Sequence, residues 1–353
     1  MHLDEKYMQR CFDLAHLGAG NVAPNPMVGA VIVYQQRIIG EGFHQKYGGP
    51  HAEVNAVNSV SPKDQKYLPQ STLFVSLEPC CIFGNTPPCT DLILRTGFPR
   101  VVVSALDATP QVAGNGVALL RKHGIRVETG LLQTAGEQLA SIRNTYAGLQ
   151  RPYVILKFAQ TRDGWMGDAR QTIHISNQYT KRLVHKWRSE SSAILVGSKT
   201  AALDNPQLNN RFFFGASPLP IVLDPDLKLP LDLHLFQDEN RPVWVLNRKK
   251  ENQIGHLQYV KVDFSSDWIP QLFTRMIAHK KSSLLVEGGA QTLQTFLDSG
   301  LWDEARVIVS QKTWFPGNVP APRIPAAPSR QYPIGSDEVL VYFNRAGVYA
   351  QAK

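Results

Sequence analysis

The chain has 353 residues, enough for two domains with cores of their own; 43% are hydrophobic and 19% charged, with 24 Pro and 26 Gly, which excludes a disordered tail, a collagen-like repeat and a coiled coil. No apolar run approaches the ~20 residues that cross a bilayer, and the charged opening Met1-His2-Leu3-Asp4-Glu5-Lys6 has no apolar signal core, so a cytoplasmic protein with no membrane partner is expected. The net charge of +8 invites nucleic acid, yet residues 1–150 carry 12 basic and 11 acidic side chains while 151–353 carry 25 and 18, scattered singly, which suits phosphorylated small molecules better than a duplex.

In chain order, the apolar period from Leu3 to Leu17 predicts a helix, stopped by Gly18-Ala19-Gly20. Val28–Val33 and Ile38–Phe43 read as a hairpin. His51–Val60 follows as a helix, Thr72–Leu77 as a buried strand, Thr90–Arg95 as a helix and Val101–Ala105 as a strand. Val117–Lys122 is then helical, Ile125–Glu128 a strand and Gln133–Leu149 a helix, ending at the boundary Arg151-Pro152. The alternation restarts with strand Tyr153–Phe158, helix Tyr179–Arg188, strands Ala193–Val196, Ile221–Leu223, Val243–Leu246 and Ser283–Val286, and helix Ala290–Leu297. The proline-rich stretch from Phe315 to Pro333 predicts an extended loop before a last strand, Val339–Phe343. Strands alternating with helices imply two layered α/β domains, 1–150 and 151–353.

The four cysteines stand at 11, 80, 81 and 89. Three clustered thiols in a reducing compartment point to metal ligands or catalysis before a disulfide. The sharpest pattern is His51-Ala52-Glu53 followed by Pro79-Cys80 and, after eight intervening residues, Cys89. A catalytic zinc takes three protein ligands and leaves the fourth place open. His51, Cys80 and Cys89 meet that count, and Glu53 is placed to carry a proton. His-x-Glu with Pro-Cys-x-x-Cys is the signature of zinc deaminases acting on bases; the stretched cysteine spacing here argues against the members that edit nucleic acid. Cys81 and Cys11 are assigned to packing.

Together, Ala23-Pro24-Asn25-Pro26-Met27-Val28-Gly29, Gly49-Pro50-His51-Ala52-Glu53, Leu77-Glu78-Pro79-Cys80-Cys81 and Gly84-Asn85-Thr86-Pro87-Pro88-Cys89-Thr90 resemble the bifunctional deaminase/reductases of riboflavin biosynthesis, and the likeness continues through Gly114-Asn115-Gly116 into the second half. The resemblance implies a cytidine-deaminase-like domain that hydrolyses the 2-amino group of a phosphoribosylated diaminopyrimidine. His51, Cys80 and Cys89 would hold Zn2+, Glu53 would shuttle the proton and Asn25 would meet the pyrimidine. The chain departs from the family at Ile82, where His is usual, at Asn85, where a basic residue is usual, and at Asp107-Ala108-Thr109-Pro110, where Asp-Pro-Asn-Pro is usual.

The second half has no Gly-x-Gly-x-x-Gly after a strand, which argues against a Rossmann dehydrogenase. Instead Leu284-Leu285-Val286 runs into Glu287-Gly288-Gly289 and a helix, whose first N–H groups can hold a phosphate. Lys157-Phe158-Ala159 with Asp163-Gly164, Arg188, Gly197-Ser198-Lys199-Thr200, Asp204, Leu208, Arg211 and Glu287-Gly288-Gly289 resemble the same family's NADPH-dependent, dihydrofolate-reductase-like domain. The resemblance implies that Ala159, His174, Thr200, Asp204, Gly289 and Thr295 line NADPH, and that Lys157, Thr172, Arg188, Leu208, Arg211 and Glu287 contact the phosphoribosyl substrate, whose ribosyl group becomes ribityl. His174 stands where Trp is usual, and Gln160-Thr161-Arg162 replaces the common Ser-Leu before Asp163. Those departures motivate a second reading, an active deaminase with a degenerate, non-catalytic reductase domain. Homo-oligomerisation is compatible with either reading.

Overall fold

The computed structural model describes residues 3–84, 86–109, 111–313 and 318–344, which form two compact units, Met1–Gln150 and Arg151–Lys353. In the first unit the chain runs α1 (Leu3–His16), β1 (Gly29–Tyr34), β2 (Arg37–Phe43), α2 (Ala52–Asn58), a 3-10 turn (Gln65–Gln70), β3 (Thr72–Leu77), α3 (Cys89–Thr96), β4 (Arg100–Ala105), α4 (Asn115–Lys122), β5 (Arg126–Thr129) and α5 (Gln133–Gly148). The five strands lie in the order β2-β1-β3-β4-β5. β1 is antiparallel to both neighbours, whereas β3, β4 and β5 are parallel, as strands joined through helices α3 and α4 must be.

Helices cover both faces of this sheet. Ala30, Ile32, Leu73, Val75, Val101 and Val103 face one layer of core with Ala52, Ala56, Ile93, Val117 and Leu120. The alternate residues Val31, Val33, Phe74 and Val102 meet Met8, Cys11, Phe12 and Leu139 on the other. The near-continuous burial of β1, β3 and β4 is what a sheet sandwiched by helices requires. Cys11 belongs to that core: it is fully buried on α1, and its thiol lies 3.5 Å from the Phe74 carbonyl.

The second unit runs β6 (Tyr153–Thr161), β7 (Trp165–Gly167), α6 (Gln178–Glu190), β8 (Ala193–Gly197), α7 (Ser198–Asp204), β9 (Leu219–Leu223), β10 (Val243–Asn247), β11 (Asn252–Ile254), β12 (Leu257–Lys261), α8 (Trp268–Ala278), β13 (Ser283–Gly288), α9 (Ala290–Ser299), β14 (Glu304–Ser310), β15 (Val319–Pro320), β16 (Arg330–Ile334) and β17 (Asp337–Phe343). Ten strands form one sheet in the order β11-β12-β10-β9-β8-β13-β6-β14-β17-β16. Its middle, from β12 to β14, is parallel, and β11, β16 and β17 close the edges in antiparallel fashion. β7 and β15 make a separate two-stranded ribbon.

The stretch predicted as a loop from Phe315 to Pro333 is therefore corrected: β15 and the start of β16 lie within it, while residues 315–317 are outside the described residues. Proline is tolerated there because β16 is an edge strand with pairing on one side only. Strands β7, β11, β12 and β14 and helices α7 and α8 were not predicted. No helix among the described residues is long and apolar enough to cross a membrane.

Candidate active sites

The first site is built where the parallel strands β3 and β4 end. His51 is the N-cap residue of α2, Cys80 stands in the loop leaving β3, and Cys89 is the first residue of α3. The His51 Nδ1 atom lies 3.5 Å from Cys80 Sγ and 3.3 Å from Cys89 Sγ, and the Cys89 amide donates to Cys80 Sγ at 3.3 Å. Zinc bonds of about 2.3 Å to sulfur and 2.0 Å to nitrogen, at tetrahedral angles, would put nitrogen and sulfur about 3.5 Å apart. The three donor atoms, all within 4.8 Å of one another, thus already stand at the edge length of a tetrahedron and can hold the ion. Cys81 lies outside the cluster, its sulfur 3.9 Å from the Gln111 carbonyl.

The electrostatics agree with a site for a cation. A hydrogen bond from Cys89, aided by His51, brings the Cys80 thiol down to about 4 despite burial, and Cys89 keeps the remaining proton, pushed up by that pairing and by burial. His51 is raised by its contact with Cys80. Its other nitrogen, Nε2, lies 3.3 Å from the Thr86 hydroxyl, which fixes the ring with Nδ1 toward the sulfurs. Glu53, 3% exposed in the first turn of α2, is raised by burial and by the charge on Cys80.

His51, Glu53 and Cys80 line a cavity of about 320 Å³ together with Asn25, His44, Tyr47, Ile82, Thr86, Asp107, Thr109 and Arg143. Asn25 Nδ2 donates to His44 Nε2 at 3.1 Å, and His44 Nδ1 faces the Pro50 carbonyl at 2.9 Å, so the network assigns the ring proton to Nδ1 and leaves the Asn25 carbonyl oxygen for a ligand. Asn85 and Pro110 lie outside the described residues.

Glu78 holds the floor. Its carboxylate, 4% exposed, accepts from the amides of Asp107 at 3.3 Å, Gly114 at 2.9 Å and Val117 at 3.1 Å. Gly116, in the first turn of α4, lies so close that a Cβ there would meet the Pro79 carbonyl at 2.2 Å. One carboxylate and one glycine thus join the cysteine loop to α4. Sequence reasoning missed this role of Glu78, and missed His44 and Arg143 altogether, because their partners stand 19 to 39 positions away and only the fold brings them together.

The second site is a cleft of about 1280 Å³ in the second unit. It gathers Lys157, Ala159, His174, Arg188, Thr200, Asp204, Arg211, Glu287, Gly289 and Thr295 around one opening. Two expected residues are not among its lining. The Thr172 hydroxyl donates to the Leu203 carbonyl at 3.2 Å, and the Leu208 side chain is buried in the unit, with backbone φ of +51°.

At the centre, Arg188 donates from Nε and Nη2 to the two Glu287 oxygens, both at 2.8 Å, and Lys157 Nζ stands 3.7 Å from the same carboxylate. Burial alone would raise Glu287, yet Arg188 and Lys157 outweigh it and hold the carboxyl down at about 2. Two cations on one carboxylate leave an excess of positive charge. His185, also missed by sequence reasoning, accepts from the Arg211 amide at 3.1 Å and carries the edge of Phe212 at 4.8 Å between ring centroids. Burial, then Arg188 and Arg211, bring it down to about 4, so it is neutral near pH 7.

Two residues after Glu287, Gly289 is the N-cap of α9, and with no side-chain cap it leaves the first amides open. A Cβ at Gly289 would meet the Thr200 hydroxyl at 2.8 Å, and Gly288 has φ of +120°, a conformation only glycine adopts readily. Open amides, a close glycine approach and the Thr200 hydroxyl form a cradle that fits a dinucleotide phosphate.

Family models match both units: residues 1–105 match the zinc-binding region of cytidine and deoxycytidylate deaminases, and residues 152–313 match the RibD C-terminal domain. The riboflavin biosynthesis protein RibD of Aquifex aeolicus is 36% identical over 315 residues, covering 88% of this chain and 87% of that protein. The chain belongs to the RibD family. RibD of Escherichia coli K12 is 33% identical over 330 residues, 88% of each chain. Among solved structures, a diaminohydroxyphosphoribosylaminopyrimidine deaminase/5-amino-6-(5-phosphoribosylamino)uracil reductase of Thermotoga maritima superposes with a TM-score of 0.86 at 35% identity, covering 96% of this chain and 98% of that one. RibD of Acinetobacter baumannii gives 0.84 at 28% identity, covering 97% and 98%. The deaminase and reductase domains of this riboflavin-biosynthesis family are both present, one zinc-binding and one NADPH-dependent.

Proposed function

We propose that residues 1–150 deaminate a phosphoribosylated diaminopyrimidine and that residues 151–353 then reduce its ribosyl group. The observation that carries the first half is the His51, Cys80 and Cys89 triangle with Glu53 buried two residues from His51. Zinc, when bound, supplies a Lewis acid that acidifies water. Glu53 takes a proton from the attacking water and returns it to the leaving amine as the exocyclic C–N bond breaks and ammonia departs. Asn25, its orientation set by His44, accepts from the pyrimidine edge.

In the second unit, Ala159, His174, Thr200, Asp204, Gly289 and Thr295 hold NADPH, which supplies the hydride. Arg188, Arg211 and Lys157 hold the phosphoribosyl part, with Glu287 fixing Arg188; Thr172 and Leu208 stand outside the cleft lining. The protein's part in hydride transfer is to place the sugar against the nicotinamide in a dry cleft. A cytoplasmic setting is supported by the four free cysteines, of which Cys80 and Cys89 can hold a metal in the first unit only as thiolates.

The test is a coupled assay that follows deaminated product and NADPH oxidation separately, with and without a chelator. The expected result is that the chelator, or His51→Ala, abolishes deamination and leaves reduction of supplied deaminated intermediate. NADPH consumption indifferent to that intermediate would overturn the second assignment. Deamination without any NADPH oxidation on the intermediate would restore the reading of a degenerate reductase domain.

A further inference from the structure

Arg143, on α5, lines the deaminase cavity, and no other lysine or arginine does so among its described lining residues. The guanidinium is held by one bond, Nη2 to the Thr109 hydroxyl at 3.2 Å, while its buried Nε has no partner. A guanidinium offers a fork of several donors, and a buried donor left unmade costs free energy unless a ligand meets it. Asp107, which lines the same cavity, accepts on Oδ1 from the Thr109 amide at 2.6 Å. The cavity thus has a metal and carboxylate end, built by His51, Cys80 and Glu53, and a cationic wall supplied by a helix from elsewhere in the chain.

We infer that Arg143 is the anchor for the phosphate of the deaminase substrate, with Thr109 holding its guanidinium in place. The inference rests on the deaminase reading above and sharpens it: the first unit selects a phosphorylated substrate through this side chain. A planar fork with unused donors suits a phosphate dianion through paired, charge-assisted bonds.

The test measures deamination by the zinc-loaded full chain on the phosphorylated pyrimidine and on its dephosphorylated form, for the native chain, Arg143→Gln and Arg143→Lys. The expected result is a KM for the phosphorylated substrate raised about 10- to 100-fold in Arg143→Gln, the loss of one charge-assisted hydrogen-bonding partner, with Arg143→Lys intermediate. The KM for the dephosphorylated form and the zinc content should not change. Inorganic phosphate should inhibit the native chain competitively and Arg143→Gln far more weakly. Equal KM changes for both substrates would overturn the role of Arg143 while leaving the deaminase assignment standing. A zinc-loaded native chain that deaminates neither form would overturn that assignment and this inference with it.

Discussion

Glu78→Gln tests whether the floor of the deaminase site is held by one carboxylate. Oε2 takes two amides, Asp107 and Gly114, and Oε1 takes Val117. A glutamine in the same rotamer keeps one acceptor oxygen; even in the better orientation its NH2 group is aimed at the Val117 N–H, donor against donor. The loss is then one charge-assisted hydrogen bond, ~1.5 to 3 kcal/mol, plus the cost of an orphaned buried amide, ~1 to 3 kcal/mol, so the expected total is about 2.5 to 6 kcal/mol. For a unit of this size that corresponds to a fall of roughly 5 to 24 °C in its unfolding midpoint. The assay is thermal unfolding of the zinc-loaded chain, with the transition of the first unit identified as the one a chelator moves, since metal binding is linked to folding. Zinc content after dialysis should fall too, because Cys80 lies two residues beyond the lost clamp. A transition within about 1 °C of the native chain, with zinc retained, would refute the reasoning.

Gly116→Ala should have a similar outcome by a different route: its Cβ meets backbone at 2.2 Å, which no rotamer change relieves, so the Pro79-Cys80 turn must shift and zinc affinity must drop. Glu53→Gln should abolish deamination while zinc content, measured by metal analysis, stays near one per chain. Glu287→Gln leaves Arg188 and Lys157 buried beside a neutral amide, so the second unit should lose about 3 kcal/mol in denaturant unfolding and its KM for the reductase substrate should rise. Two groups give the second unit a worked pH dependence. His185 titrates near 4 when folded and 6.5 when free, so only the unfolded chain takes up its proton between those values; stability is full above pH 6.5 and falls as pH drops toward 4. Glu287, about 2 against 4.5, adds a second loss below pH 4.5. Unfolding midpoints of His185→Gln across pH 2 to 8 should lack the upper limb and keep the lower one.

The cluster of His51, Cys80 and Cys89, which could hold a metal, was legible because its members are local: His51 and Glu53 share one helix start, and Cys80 and Cys89 flank one loop. What the linear pattern could not show is what the fold supplies from a distance. Arg143 reaches the cavity from α5, and His185 meets Arg211 only because α6 runs beside the loop after α7. Among elements, α8 was hidden by Pro270, which the first turn of a helix tolerates since no intrahelical bond needs its amide. β14 was hidden by Glu304 and Arg306, which read as solvent-facing charges. They pair with each other at 2.7 Å, and Arg306 also packs over the Trp187 ring, so the strand enters the sheet with its charge neutralised.

In the second unit Glu287, Gly288 and Gly289 are consecutive, and β13 changes register against β8 between Val286 and Gly288. The carboxylate that pairs with Arg188 and the open N-terminus of α9 are therefore set by one short stretch of backbone. A shift of that strand end by one residue would move Glu287 and the first turn of α9 together, so these two parts of the cleft lining keep their spacing through one backbone segment. Arg211 belongs to a different segment, the loop after α7, and its amide is held by His185 of α6, so changes in that loop would leave the Glu287–Gly289 backbone as it is.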